Sequence, residues 1–218
     1  MTRQPPLDEP ARDRERGTRA VVGVTGHRLA GLAGADHSML TERIQRALAV
    51  TQRLAGAGRL TIVSPLAEGA DRIVARAALD GRHELLCVLP FPRGVYAQDF
   101  PTAPSRAEYN ALVSLASQVI ELHGSNATPE ARDAAYAAVG DWIIAHSDAL
   151  IAIWDGGEAR GSGGTGDVVR DALAAGVPVV WVHSRPPHAI KALTVTDGSV
   201  TEHEGSGLEA MLVERTTT

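Results

Sequence analysis

Short apolar runs alternate along this chain with longer stretches of helical spacing. Residues 20–25, Ala-Val-Val-Gly-Val-Thr, have the composition of a strand that ends in Gly26-His27-Arg28. Leu40, Ile44, Ala47, Leu48 and Thr51 recur at helical spacing from Ser38 to about Ala55, and Gly56 and Gly58 stop that helix. Residues 60–63 make a second strand, which runs into Ser64-Pro65-Leu66-Ala67-Glu68-Gly69-Ala70-Asp71-Arg72. Ile73, Val74 and Ala77 share one face of the next helix, closed by Gly81. A third strand spans 84–89 and stops at Pro90.

The pattern then loosens. Residues 91–103 hold Pro92, Pro101, Tyr96, Asp99 and Phe100, too long a stretch for a simple connector and a candidate lid. Ser105 and Glu108 fit a capping box for a helix to about Ala116. Residues 118–122 are a fourth strand. Thr128 and Pro129 open a helix that carries Tyr136, Val139, Trp142 and Ile143. A fifth strand ends at Asp155, and the glycine-rich stretch 161–166 follows. Val168, Val169, Ala172 and Leu173 then have helical spacing up to Gly176, and residues 177–183 are a sixth strand. Residues 192–196 and 199–203 flank Asp197-Gly198, a two-residue hairpin signal. The alternation predicts an α/β domain over 19–204, with a mainly parallel sheet of about six to seven strands, helices on both faces and a C-terminal β-hairpin. Residues 1–18 mix Pro, Arg, Asp and Glu and are expected to be disordered. Residues 205–218 are expected to be a flexible tail.

Composition narrows the function. The net charge of −5 argues against broad nucleic-acid binding, which rests on Lys and Arg neutralising phosphates. No strong nucleic-acid signal is expected. The one cysteine, Cys87, lies in an apolar run and is read as a buried small hydrophobe. No apolar segment approaches the ~20 residues of a membrane span, and no signal-peptide core opens the chain. A cytoplasmic protein without a membrane partner is expected. The histidines show no metal spacing, so no metal and no cofactor are expected.

In a parallel sheet of this kind ligands bind at the carboxyl ends of the strands. Three loops there are rich in chemistry: 26–28, 64–72 and 155–167. The run Gly161-Ser162-Gly163-Gly164-Thr165-Gly166 formally matches G-x-G-x-x-G, but several residues separate it from Asp155 and no acid follows the next strand to hold a ribose. No Gly-Lys-Ser/Thr occurs, so the P-loop pattern fails too. What remains is an anion site of glycine backbone and helix N-terminus, at Gly163, Gly164, Thr165 and Gly166. Asp167 either complements the helix dipole or contacts a sugar or base. Glu68 is a candidate for ribose hydroxyls or for acid–base work beside Gly69, and Asp71 for a cap or a ligand contact. Arg72 and Arg28 could meet an anion. Gly26, His27 and Asp155 complete the candidate binding set.

The motifs 24–28, 64–72, Leu-Pro-Phe-Pro with Tyr96 and Asp99-Phe100, 147–156 and 163–169 together resemble the SLOG superfamily, Rossmann-like domains related to the Lonely-guy phosphoribohydrolases and the DNA-processing SMF proteins. The resemblance spans about residues 20–183. It implies a Rossmann-like doubly wound fold and a pocket for a nucleotide or nucleotide-derived ligand, serving a sensor or signalling role. It also implies pairing into a homodimer. The alternative it implies is a nucleoside 5′-monophosphate N-glycosidase, a hydrolase releasing free base and ribose 5-phosphate. Anchoring that enzyme's P-G-G-x-G-T-x-x-E pattern on Thr165 puts its catalytic glutamate at Val168. Asp167 lies one residue earlier, a rotation of about 100° on a helix. Glycosidic cleavage would need Asp167 or Glu68 as the catalytic carboxylate.

Overall fold

The structure, a computed structural model, describes residues 19–157 and 164–214. The expectation for 1–18, the last four residues of the expected tail and Gly163 of the glycine loop lie outside them. The elements in order are β1 (Arg19–Gly26), α1 (His37–Ala55), β2 (Arg59–Ser64), α2 (Ala70–Asp80), β3 (Glu84–Leu89), α3 (Arg93–Tyr96), α4 (Ala103–Leu115) and β4 (Gln118–Glu121). They continue with α5 (Pro129–His146), β5 (Ala149–Trp154), α6 (Thr165–Ala174), β6 (Val179–His183), β7 (Ile190–Thr196), β8 (Ser199–Glu204) and α7 (Gly205–Glu214).

The described strands form one sheet in the order β4-β3-β2-β1-β5-β6-β7-β8. The first six are parallel, and β7 and β8 run antiparallel. The sheet has eight strands rather than six to seven, because both arms of the hairpin extend it beyond β6. The fold is thus Rossmann-like and doubly wound. The turn Asp197-Gly198 has φ of 51° and 75°, the left-handed pair that a two-residue hairpin requires.

The strands are buried on both sides, as their continuous apolar runs require. In β5, Ile151 and Ile153 belong to the core that α1, α2, α4 and α7 cover, while Leu150 and Ala152 belong to the core under α5 and α6. Side chains alternate across a strand, so one run serves two cores. Cys87 is fully buried, and burial pushes its thiol up to about 12.

Two local expectations are corrected. The α4 cap is Thr102, whose hydroxyl accepts the Ser105 N–H at 3.2 Å, with a proline in the first turn. A proline is well suited to that turn, so the helix starts two residues before Ser105. Residues 205–214, expected to belong to a flexible tail, form α7. Its Leu208, Met211 and Leu212 are buried, and Arg46 and Arg53 of α1 each meet Glu209 at 3.2 Å. Gly205 and Gly207 obscured a short helix whose stability comes from packing.

Where the chain leaves β1 it comes very close to the start of α2. The Ala70 N–H donates to the His27 carbonyl at 3.0 Å, and the His27 N–H to the Ile153 carbonyl at 2.9 Å. A Cβ on Gly26 would lie 2.5 Å from the Ala70 Cβ and 2.8 Å from the Ile153 carbonyl oxygen. One on Gly69 would lie 2.6 Å from the His27 carbonyl oxygen, and Gly69 also has φ of 101°. Gly26→Ala and Gly69→Ala should each lower the urea-unfolding free energy by roughly 2 kcal/mol or more. Gly207→Ala, where an added Cβ meets nothing within 4 Å, should raise it by about 0.5–1 kcal/mol.

Candidate functional site

The parallel strands advance outward from β1 to β4, and the chain then returns to place β5 on the other side of β1. The carboxyl ends of β1 and β5 therefore flank the point where the strand order reverses, the usual place for a ligand crevice. A cleft of about 450 Å³ opens there, within the ~300–1,000 Å³ of small-molecule sites. One wall is Gly26, His27 and Arg28 after β1. Pro65, Ala67 and Asp71 come from the β2–α2 turn, and Tyr96 from α3. The opposite wall is Tyr136, Val139, Gly140 and Ile143 of α5, with Trp154 at the end of β5. Gly164, Thr165, Gly166 and Val168 close it from the start of α6.

This start of α6 has Gly164 as its cap, with no capping side chain. The first N–H groups of a helix have no partner inside it, and here they border the cleft, where they favour negative charge. Arg28 brings a full positive charge to the same space, its guanidinium 5.6 Å from the centre of the Tyr136 ring. His27 sits at the mouth with Nε2 3.0 Å from Asp155 Oδ1. Burial works to raise the Asp155 carboxyl, but the Gly157 N–H and His27 outweigh it and hold the group below its ordinary range.

Asp71 is 5% exposed. Its Oδ2 accepts the Ala67 N–H at 3.2 Å. Burial pushes the carboxyl up to about 7, against the lowering effect of that hydrogen bond and of Arg28 and Arg72. Tyr96 is buried beside it, and its hydroxyl is raised well above the ordinary phenol value, chiefly by burial.

The structure brings Gly26, His27, Arg28, Asp71, Gly164, Thr165 and Gly166 together around the cleft, with Asp155 at its mouth. It places four other sequence-predicted residues elsewhere. Glu68 does not line the cleft; its carboxylate accepts the Ser105 hydroxyl of α4. Arg72 is 2% exposed and donates to the Leu66 carbonyl at 3.0 Å, to Ser105 and to Glu108 Oε2 at 2.9 Å. Its guanidinium lies 4.2 Å over the Phe100 ring. Glu68 and Arg72 thus converge on Ser105 and latch α2 to α4. Gly69 is the tight-approach residue behind the wall. Asp167 pairs with Arg170 at 2.8 Å on the surface of α6, which is the dipole-complementing alternative. Val168, on the position of the phosphoribohydrolase glutamate, is 8% exposed and packs in the core.

Sequence reasoning missed the α5 wall and Tyr96. The sequence places Tyr136, Val139, Trp142 and Ile143 on one helix and gives no sign that part of it faces a cleft. The 91–103 stretch is a packed shoulder: Phe91, Tyr96 and Phe100 are each 1% exposed, and Tyr96 and Phe100 stack edge-on at 5.1 Å. Asp99 ties it to α5 through the Tyr136 hydroxyl and Arg132, the latter at 2.7 Å. Among the described residues no group of three or more His, Cys, Asp or Glu is placed to hold a metal ion. No described helix is long and apolar enough to cross a membrane.

No protein-family model matches the chain, and no curated protein matches it. Among solved structures it is similar to DNA processing protein A from Streptococcus pneumoniae, at 19% identity and a TM-score of 0.52, over 89% of this chain and 56% of that one. The likeness is one of fold, and it agrees with the Rossmann-like architecture that the resemblance of the sequence motifs implies. The chain spans little more than half the length of this neighbour. It is also similar to DNA processing protein A from Helicobacter pylori, at 18% identity and a TM-score of 0.49, over 78% of this chain and 68% of that one. That protein is described by its single-stranded DNA binding mode. The expectation of no strong nucleic-acid signal is corrected by the Streptococcus pneumoniae structure, which is of a DNA processing protein. Net charge summed over a chain says nothing of how charge is distributed over its surface.

Two outcomes test this geometry. Arg72→Ala should cost about 3 kcal/mol of unfolding free energy, since it strips partners from buried carbonyls and from Glu108. For Asp71 the sign follows from linkage. The folded chain holds a proton that the unfolded chain releases between pH 3.8 and about 7, so stability falls as pH rises through that window. Asp71→Asn should remove this component. The unfolding free energy of wild type relative to the variant should drop by about 2 kcal/mol from pH 5 to pH 7 in urea titrations.

Proposed function

We propose that the cleft binds a nucleotide or nucleotide-derived ligand, and that the protein acts as a sensor or signalling module through it. The observation that carries this reading is the meeting of unlike chemistries in one crevice. The uncapped start of α6 and Arg28 suit a phosphate. Tyr136, Trp154 and the apolar surface of Val139, Gly140 and Ile143 suit the flat face of a base.

The N-glycosidase is the second reading, and Asp71 favours it. A carboxyl pushed up to about 7 is poised to give a proton to a departing base. The two carboxylates first considered for that role, Glu68 and Asp167, are engaged by Ser105 and Arg170 outside the cleft. With Val168 on the glutamate position, binding is the better supported of the two.

Thermal unfolding with a panel of nucleoside mono-, di- and cyclic phosphates at millimolar concentration should raise the wild-type melting temperature by several degrees for at least one member. A short single-stranded oligonucleotide belongs in the same panel, given the DNA-processing neighbours. Gly140→Leu, which fills the slot, and Thr165→Val, at the anion end, should fold and lose the shift. Release of free base from a monophosphate would move the assignment to the glycosidase. No shift with any member would sink the binding reading.

A further inference from the structure

Asp71 is the only carboxylate among the described residues that line the cleft. Its Oδ2 is taken by the Ala67 N–H. Among the described residues its Oδ1 receives no hydrogen bond. The groups facing it are few. Arg28 and His27 come from the loop after β1, Tyr96 from α3 and Arg72 from its own helix. Tyr136 of α5 shares the cleft, with Asp99 held behind it. Arg72 gives Nε and Nη1 to Leu66, Ser105 and Glu108, while its Nη2 is buried without a hydrogen-bond partner. Arg72 is 2% exposed and does not line the cleft, so Arg28 is the cation that an anionic ligand and an ionised Asp71 would have to share.

We infer that Asp71 meets the ligand as a neutral acid, donating a hydrogen bond from its free carboxyl oxygen to an acceptor atom of an anionic nucleotide. This rests on the nucleotide reading of the cleft and specifies how that site is regulated: above about pH 7, ligand binding takes up as much as one proton from solvent. The physical reason is repulsion. At ~5 Å and an effective dielectric of ~20, two negative charges cost about 3 kcal/mol, and a bound phosphate also claims Arg28. Protonation removes that cost and turns an acceptor into a donor. Burial already favours the neutral form before the ligand arrives. The same feature sets specificity: a ligand presenting an acceptor towards Asp71 is chosen over one presenting an N–H.

Titration calorimetry with adenosine and guanosine 3′,5′-cyclic monophosphates tests this, because their diester phosphates do not titrate near neutrality. For the diester that binds, wild-type affinity should weaken roughly tenfold or more from pH 6.5 to pH 8.5. The binding heat above pH 7 should vary with the ionisation heat of the buffer, as proton uptake demands. Asp71→Asn should bind with the same affinity at both pH values. Should that variant fail to fold, His27→Gln decides in its place and should keep the wild-type slope. Flat wild-type affinity, or a slope kept in Asp71→Asn or lost in His27→Gln and so assigned to His27, overturns the inference while leaving the nucleotide reading intact. Absence of binding by either diester at both pH values, together with no melting shift across the nucleotide panel, removes the nucleotide reading and this inference with it.

Discussion

The close approach between the end of β1 and the start of α2 governs the rest of this molecule. The His27 backbone bridges the two strands and the helix, accepting from Ala70 and donating to Ile153. Both hydrogen bonds need the chains nearer than side chains allow, and Gly26 and Gly69 supply that space. The start of α2 is thereby pressed against the mouth of the sheet. Asp71, in its first turn, is carried into the cleft. Arg72, about 100° further round the helix, points away from it into the latch with α4.

That rotation explains how the charged residues of one short motif divide. Glu68 accepts the Ser105 hydroxyl, and the Arg72 charge is paired with Glu108 Oε2 at 2.9 Å. Buried charges persist when they are paired in this way. Asp71 has no ion pair of that kind, and burial pushes its carboxyl up to about 7. The motif therefore supplies both the rigidity of the site's floor and the one carboxyl among the described residues that line it.

Aromatic residues are only 4% of the chain, so their placement matters. Both phenylalanines and all three tyrosines gather where the 91–109 segment meets α5, with ring centroids of 5.0–6.4 Å between neighbours. Asp99, joined to Tyr136 and Arg132, fastens that cluster across the top of the cleft. The wall that would receive a base is thus the outer edge of a core, and its shape is set before any ligand arrives. Trp154 extends the same surface and is held by its indole N–H to the Gly157 carbonyl at 2.9 Å.

Much of the architecture was legible in the residue order. Strand runs such as Leu150–Ile153, the Thr128-Pro129 helix start and the Asp197-Gly198 hairpin are local features, read from period, cap and turn chemistry. The loops that would meet at the strand ends follow from parallel topology, and so Gly26, Arg28, Asp71 and Thr165 were in view from the start. What a side chain faces is another matter. Glu68 and Arg72 are ionisable, as Asp71 is, and sit within three residues of it, yet packing against α4 takes them out of the cleft. Val139 and Ile143 look like any apolar helix face until α5 is laid beside β1. α7 needed the Leu208–Leu212 contacts to be worth forming at all. Local sequence determined the elements and their order, because those depend on spacing and backbone chemistry. Tertiary structure decided which polar groups face the open cleft and which carboxyl keeps its proton, because those depend on neighbours distant in the chain.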